Sequence, residues 1–301
     1  MKLSGVIPPM LTPAADDGMQ VDHDRLRRFT GWLLDAGVNG LFIGASAGES
    51  AMLDRSQRRA ALETVIAETQ GRVPIIAGVS APSTAQSLQY ARDAEAAGAD
   101  YLISLPPGVF PLSEDEMVHH YATLSDSVDI PTLLYNFPEL TGGKIITPKI
   151  AATLSQKHRV VGIKDTSGSV VNSRTYRRAC GDEFMLLVGS DPNIYAYLAL
   201  GADGMICSGS NIAPKTYVAL YQAFRSGDHA KAIALQDAIL PFIDITRIGS
   251  FPSSVKACLS SLGIPAGPPF LPVFPASDAQ AAAALEFFGN MQAASRDLGV
   301  A

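Results

Sequence analysis

Eight times along its 301 residues the chain places a short, continuous apolar run ahead of an amphipathic stretch. "GVIPPML" precedes "DHDRLRRFTGWLLDAG", "GLFIGA" precedes "DRSQRRAALETVIAETQ", and "VPIIAGVS" precedes "STAQSLQYARDAEAAG". "DYLISLPP", "PTLLYNFP", "VVGIKDTS", "FMLLVGS" and "DGMICSGS" open the remaining five units. Unbroken runs rich in Val, Ile and Leu suit parallel strands covered on both faces, and the amphipathic stretches supply the covers. In "DAGVNGLFI", "AAGADYLI" and "LGADGMI" a glycine stands where a helix ends and a strand begins, the place of a left-handed C-cap. Eight such units predict an α/β chain closed into a (β/α)8 TIM barrel. The rival, an open doubly wound sheet, is disfavoured because no Gly-x-Gly-x-x-Gly follows the first strand.

The pattern assigns residues 1–227 to the barrel. From 228 to 301, "HAKAIALQDAILPFIDITRI", "PSSVKACLSSLG" and "DAQAAAALEFFGNMQAASRDLG" read as helices without strands between them. They predict a helical C-terminal extension packed on the barrel, with "GIPAGPPFLPVFPAS" as a packed connector.

Hydrophobic residues make up 47% of the chain and charged residues 17%, as in a compact enzyme and unlike a disordered segment. The net charge of −6 and the absence of a basic run predict no nucleic-acid partner. No stretch reaches about 18 uninterrupted apolar residues, so no membrane span is expected. Prolines interrupt "MKLSGVIPPMLTP" early, which argues against a secretory signal. Cys180, Cys207 and Cys258 lie far apart with no Cys-x-x-Cys spacing, and predict reduced thiols in a cytoplasmic protein.

In a barrel of this kind the working face lies at the C-terminal ends of the strands. Lys164 is the one lysine that ends an apolar strand. An amine held in an apolar barrel loses solvation of its charged form, which favours the free base. A free amine attacks a carbonyl carbon and forms a Schiff base. The residues alone leave a second reading open: a lysine paired to a carboxylate such as Asp165 or Asp191. "GASAGES" offers Gly44 and Gly48 for tight turns, small side chains that let a carboxylate or phosphate reach backbone N–H groups, and the Ser46 hydroxyl. It also reads as a plain strand-to-helix loop. Tyr135, at a strand end, is either a proton carrier or a core aromatic. His119 and His120 are read as surface or interface residues, since no histidine–carboxylate cluster has metal-ligand spacing.

Taken together, "GASAGES", "YNFPELTG" and "GIKDTSG", followed in order by "VGSD" and "LGADGMICSGSNIAP", resemble the pyruvate-dependent class I aldolases and lyases. That family includes dihydrodipicolinate synthase, N-acetylneuraminate lyase and 2-keto-3-deoxygluconate aldolase. The resemblance spans nearly the whole chain. It implies an imine between Lys164 and pyruvate or another 2-keto acid, with Tyr135 as proton shuttle and the Ser46 hydroxyl linked to it. It implies that the Ser46 and Ala47 amides beside Gly48 hold the keto-acid carboxylate, and that Gly189 and the Ile206 carbonyl line the pyruvate end. Thr166, Asp191 and Ser208 stand where lyases of the family meet the hydroxyls of a longer substrate. No metal or organic cofactor is implied, and a homodimer or homotetramer is.

The chain also departs from the family's patterns. Dihydrodipicolinate synthases carry an arginine two residues after the proline of "YNFP", where this chain has Leu140. They have a tyrosine after strand four that reaches the neighbouring subunit, where this chain has "PPGVFP" with Phe110. Their lysine-feedback site has an asparagine in place of Pro82. N-acetylneuraminate lyases have an acid at Pro192 and a threonine at Ala47. The expectation is a lyase, aldolase or dehydratase for another 2-keto acid, such as a 2-keto-3-deoxy sugar acid. Alternatives are a dihydrodipicolinate synthase and, in another class, a barrel that binds keto acids without turnover. A metal-dependent aldolase on the same fold is a third.

Overall fold

A computed structural model describes residues 2–107 and 110–300. The eight apolar runs form parallel strands: β1 (Gly5–Val6), β2 (Leu41–Ile43), β3 (Ile75–Gly78), β4 (Tyr101–Ser104), β5 (Thr132–Asn136), β6 (Val160–Asp165), β7 (Met185–Val188) and β8 (Gly204–Met205). Their order is β1-β8-β7-β6-β5-β4-β3-β2. The chain beyond β1 meets β2 through a parallel bridge between Pro9 and Phe42, with Met10 N donating to Phe42 O, so the sheet curls round on itself. This is the TIM-barrel fold.

Period-two alternation sorts the side chains. Phe42, Ile76, Ile103, Leu133, Tyr135, Leu187 and Ile206 pack together inside the barrel. Ile43, Ile75, Leu102, Leu134, Ile163, Leu186 and Met205 point outward and pack with the helices. Lys164 follows Ile163, so the same alternation turns it inward.

The covering helices are α1 (His23–Asp35), α2 (Arg55–Thr69), α3 (Thr84–Ala97), α4 (Glu114–Asp126), α5 (Pro148–Lys157), α6 (Val170–Cys180), α7 (Ile194–Ala199) and α8 (Pro214–Arg225). Asp22, Asp54, Ser83, Ser113 and Thr147 cap five of them by accepting the backbone N–H three residues on. Gly37, Gly98 and Gly201 all take positive φ, as expected of glycines that stop a helix before a strand.

After residue 228 come α9 (His229–Ile239), α10 (Phe242–Arg247), α11 (Ser253–Ser261) and α12 (Asp278–Asp297). "HAKAIALQDAILPFIDITRI" divides into two helices at Pro241, which has no N–H to continue the first. In the connector before α12, Ala266 and Phe270 are buried while Phe274 is exposed. No helix among the described residues is long and apolar enough to cross a membrane.

Candidate active site

β5 and β6 set the centre of the site. Their register pairs Tyr135 with Lys164 and Asn136 with Asp165. Tyr135 and Lys164 face inward, and the Lys164 Nζ donates to the Tyr135 hydroxyl oxygen at 2.8 Å. Nζ lies 3.9 Å from the Tyr135 ring centroid and 5.4 Å from that of Phe42. Phe137 stacks on Tyr135, and Phe42 meets it edge-on. Lys164 is 3% exposed.

Both carboxylates considered as partners for Lys164 are engaged elsewhere. Asp165 points to the outer side of the sheet. There it accepts from Asn136 Nδ2 at 2.8 Å, the Tyr197 hydroxyl at 3.0 Å, and the Ser167 hydroxyl and amide. Asp191 Oδ1 accepts from the Tyr217 hydroxyl at 2.5 Å and from Gly209 N at 3.0 Å. Burial pushes the Asp191 carboxyl up, and the hydrogen bond from Tyr217 draws it back. Among the described residues no ion pair forms at Lys164.

The loop after β2 comes to the same centre. Ser46 Oγ lies 3.4 Å from the Tyr135 hydroxyl, at the outer limit of a hydrogen bond. The amides of Gly48, Glu49 and Ser50 turn inward to the carbonyls of Ala45 and Ser46. The Ser46 and Ala47 amides have no acceptor among the described residues. Gly48 is required by close approach: a Cβ there would sit 2.5 Å from Met10 O. The Asn211 side chain donates to Pro9 O and Ser208 O, tying the turn after β8 to the segment after β1.

Gly189, at the end of β7, stands against the lysine stem. A Cβ there would fall 2.0 Å from Thr166 Oγ1 and 2.9 Å from Lys164 Cε. Thr166 Oγ1 is buried without a hydrogen-bonding partner among the described residues. Ile206 packs in the inner cluster with Tyr135 and Leu187. Ser208 opens the short turn after β8. Leu140 lies on the turn beyond β5, 52% exposed and outside both apolar clusters. Phe110 is 78% exposed. Gly108 and Val109 of the "PPGVFP" segment lie outside the described residues.

One reading of the sequence is corrected. His120 is not a surface residue; it is buried, its Nδ1 2.9 Å from Thr84 Oγ1 and its ring against Tyr121. On α4 the inward face is every third or fourth residue, Met117, His120, Tyr121 and Leu124, which is the signal that marks it. Lys256, which the sequence reading did not single out, is buried on α11 and pairs with Glu49. Its neighbours Val255, Cys258 and Leu259 give the same helical signal. Among the described residues no group of three or more His, Cys, Asp or Glu side chains is placed to hold a metal ion.

The model of the dihydrodipicolinate synthetase family matches residues 2–286. The chain belongs to the dihydrodipicolinate synthetase family. It is 33% identical over 273 residues to the 4-hydroxy-tetrahydrodipicolinate synthase of Methanopyrus kandleri, covering 90% of this chain and 91% of that one. It is equally similar, 33% over 268 residues (88% and 89%), to the Escherichia coli K12 protein YjhH, described as a probable 2-dehydro-3-deoxy-D-pentonate aldolase. Among solved structures, E. coli YagE, a prophage protein of the dihydrodipicolinic acid synthase family crystallised with pyruvate, superposes with a TM-score of 0.90 at 30% identity over 99% of both chains. The family is one of pyruvate-dependent class I lyases and aldolases, and this member is a lyase of that kind.

Proposed function

We propose that this protein forms an imine between Lys164 and a 2-keto acid, and that its substrate is a 2-keto-3-deoxy sugar acid cleaved to pyruvate and an aldehyde. One observation carries the reading: a buried amine, unpaired by any described carboxylate, donating to the Tyr135 hydroxyl at 2.8 Å. Nζ attacks the keto carbon, water leaves, and the protonated imine becomes an electron sink. The bond between the carbon α to the imine and the hydroxyl-bearing β carbon then breaks, its electron pair passing into the imine. The hydroxyl proton of the leaving aldehyde passes to a base, and the remaining enamine is protonated and hydrolysed to pyruvate. Tyr135, in contact with Nζ and 3.4 Å from Ser46 Oγ, carries the proton. The Ser46 and Ala47 amides hold the carboxylate, and Gly189 and Ile206 bound the pyruvate end.

The substrate class is supported by the residues at the positions where the family resemblance puts the far end of the substrate. Leu140 is apolar where binding a second carboxylate calls for a cation, and Asp191 would repel an anionic tail. A polyhydroxylated tail finds the Thr166 hydroxyl, Ser208 and Asp191 as partners. The similarity to a synthase and to a sugar-acid aldolase is equal, so condensation of pyruvate with an aldehyde to a dihydrodipicolinate precursor is the second reading. A keto-acid-binding barrel without turnover is the third, suggested by Phe110 in the loop after β4. The same reading takes residues 228–301 as an extension packed on a barrel of 1–227, and the active form as a homo-oligomer. A panel of 2-keto-3-deoxy sugar acids assayed for pyruvate release tests it. Release from at least one is expected. No release, with consumption of pyruvate and aspartate semialdehyde, would replace it with the synthase; neither activity would leave the binding barrel.

A further inference from the structure

The turn that presents the Ser46 and Ala47 amides is held from outside the barrel. Glu49 ends that turn with φ of 56°, a left-handed conformation uncommon for a residue with a Cβ. Its side chain is 4% exposed and runs toward the C-terminal helices. Oε2 lies 2.6 Å from Lys256 Nζ, on α11, itself 2% exposed. Oε1 accepts from Phe270 N at 2.7 Å. Lys256 Nζ also donates to Pro268 O at 2.9 Å, with the Phe270 ring centroid 5.1 Å away. Burial pushes the Glu49 carboxyl up and the Lys256 ammonium down, and each charge draws the other back toward ionisation.

A buried ion pair is weak evidence for net stability, since a well-packed apolar pair of the same volume often does as well. Its contribution here is directional. A left-handed non-glycine residue persists where its surroundings over-determine it. The Glu49 amide bonds Ser46 O and the Gly48 amide bonds Ala45 O, so whatever fixes Glu49 fixes the frame of the two free amides between them. We propose that Glu49 and Lys256 are positioning residues for the keto-acid carboxylate, the ion pair anchoring the Ser46–Ala47 turn to α11 and the connector before α12. The inference rests on the reading of those amides as the carboxylate site. Carboxylate contacts persist from bound substrate through the transition state, so their loss appears in half-saturation more than in maximal rate.

The test is borohydride trapping of pyruvate on Lys164 across pyruvate concentrations, with a thermal midpoint for each protein. Glu49→Gln/Lys256→Met replaces both charges by neutral groups of similar shape and leaves no lone charge buried. Half-saturation is expected to rise about tenfold, the scale of a charge-assisted hydrogen bond, with the maximal rate within about twofold. Glu49→Asp keeps the charge, tolerates the left-handed backbone and retracts the carboxylate; it should shift half-saturation in the same direction by less. A folded double variant that saturates like the parent, or loses only maximal rate, overturns the proposal. If the double variant does not fold, Glu49→Asp decides by the same criteria. A parent protein that traps no pyruvate removes the underlying reading; normal trapping in the parent with unshifted variants removes this inference alone.

Discussion

At Lys164 a primary amine is 3% exposed, a phenol oxygen lies 2.8 Å away, and the acidic side chains of Asp165 and Asp191 are taken up by tyrosine hydroxyls and backbone amides. That division leaves the amine hydrogen-bonded to the Tyr135 hydroxyl and to no carboxylate among the described residues. The charge at the end of "VVGIK" is what made it legible: a cation closing an apolar strand invites a chemical explanation. The roles of Asp165 and Asp191 were not legible, because each is decided by a partner on another element, Tyr197 on α7 and Tyr217 on α8. Tyr135→Phe keeps the ring packing on Phe42 and Phe137 and removes the hydroxyl. Turnover should fall about 10²- to 10⁴-fold, while end-point trapping of pyruvate on Lys164 persists. A phenylalanine variant within about tenfold of the parent in steady-state turnover excludes Tyr135 as the proton carrier.

The eight strands were legible at the level of elements because parallel strands buried on both faces leave continuous apolar runs. Helix ends were legible from their caps and glycines. The contacts of α4 were not: His120 lies beside exposed His119, yet it is buried and its ring nitrogen meets Thr84 at the start of α3. That burial carries a pH signature. Burial lowers the His120 imidazole from 6.5 to about 4, so between those values the unfolded chain binds the proton that the folded chain refuses. The stability contributed by neutral His120 is complete above pH 6.5 and is lost as pH falls through about 4, on the order of 3 kcal/mol in all. In His120→Gln the urea midpoint should fall less steeply than the parent's over that window. Parallel profiles would show that the imidazole does not titrate with unfolding.

Across the whole molecule, one barrel end gathers the strand ends while distant parts of the chain hold them in place. Glu49 and Phe270 bond across 221 positions, a distance no local pattern reports. Leu140, Thr166 and Ser208 likewise stand on separate turns, after β5, β6 and β8, which no local sequence pattern relates to one another. The central claim is the Lys164 imine. Folded full-length protein incubated with pyruvate and borohydride, digested and mapped by mass spectrometry, should carry one reduced pyruvate adduct, on Lys164, and none in Lys164→Met. An unmodified Lys164 in folded protein, or an adduct spread over surface lysines, would contradict it.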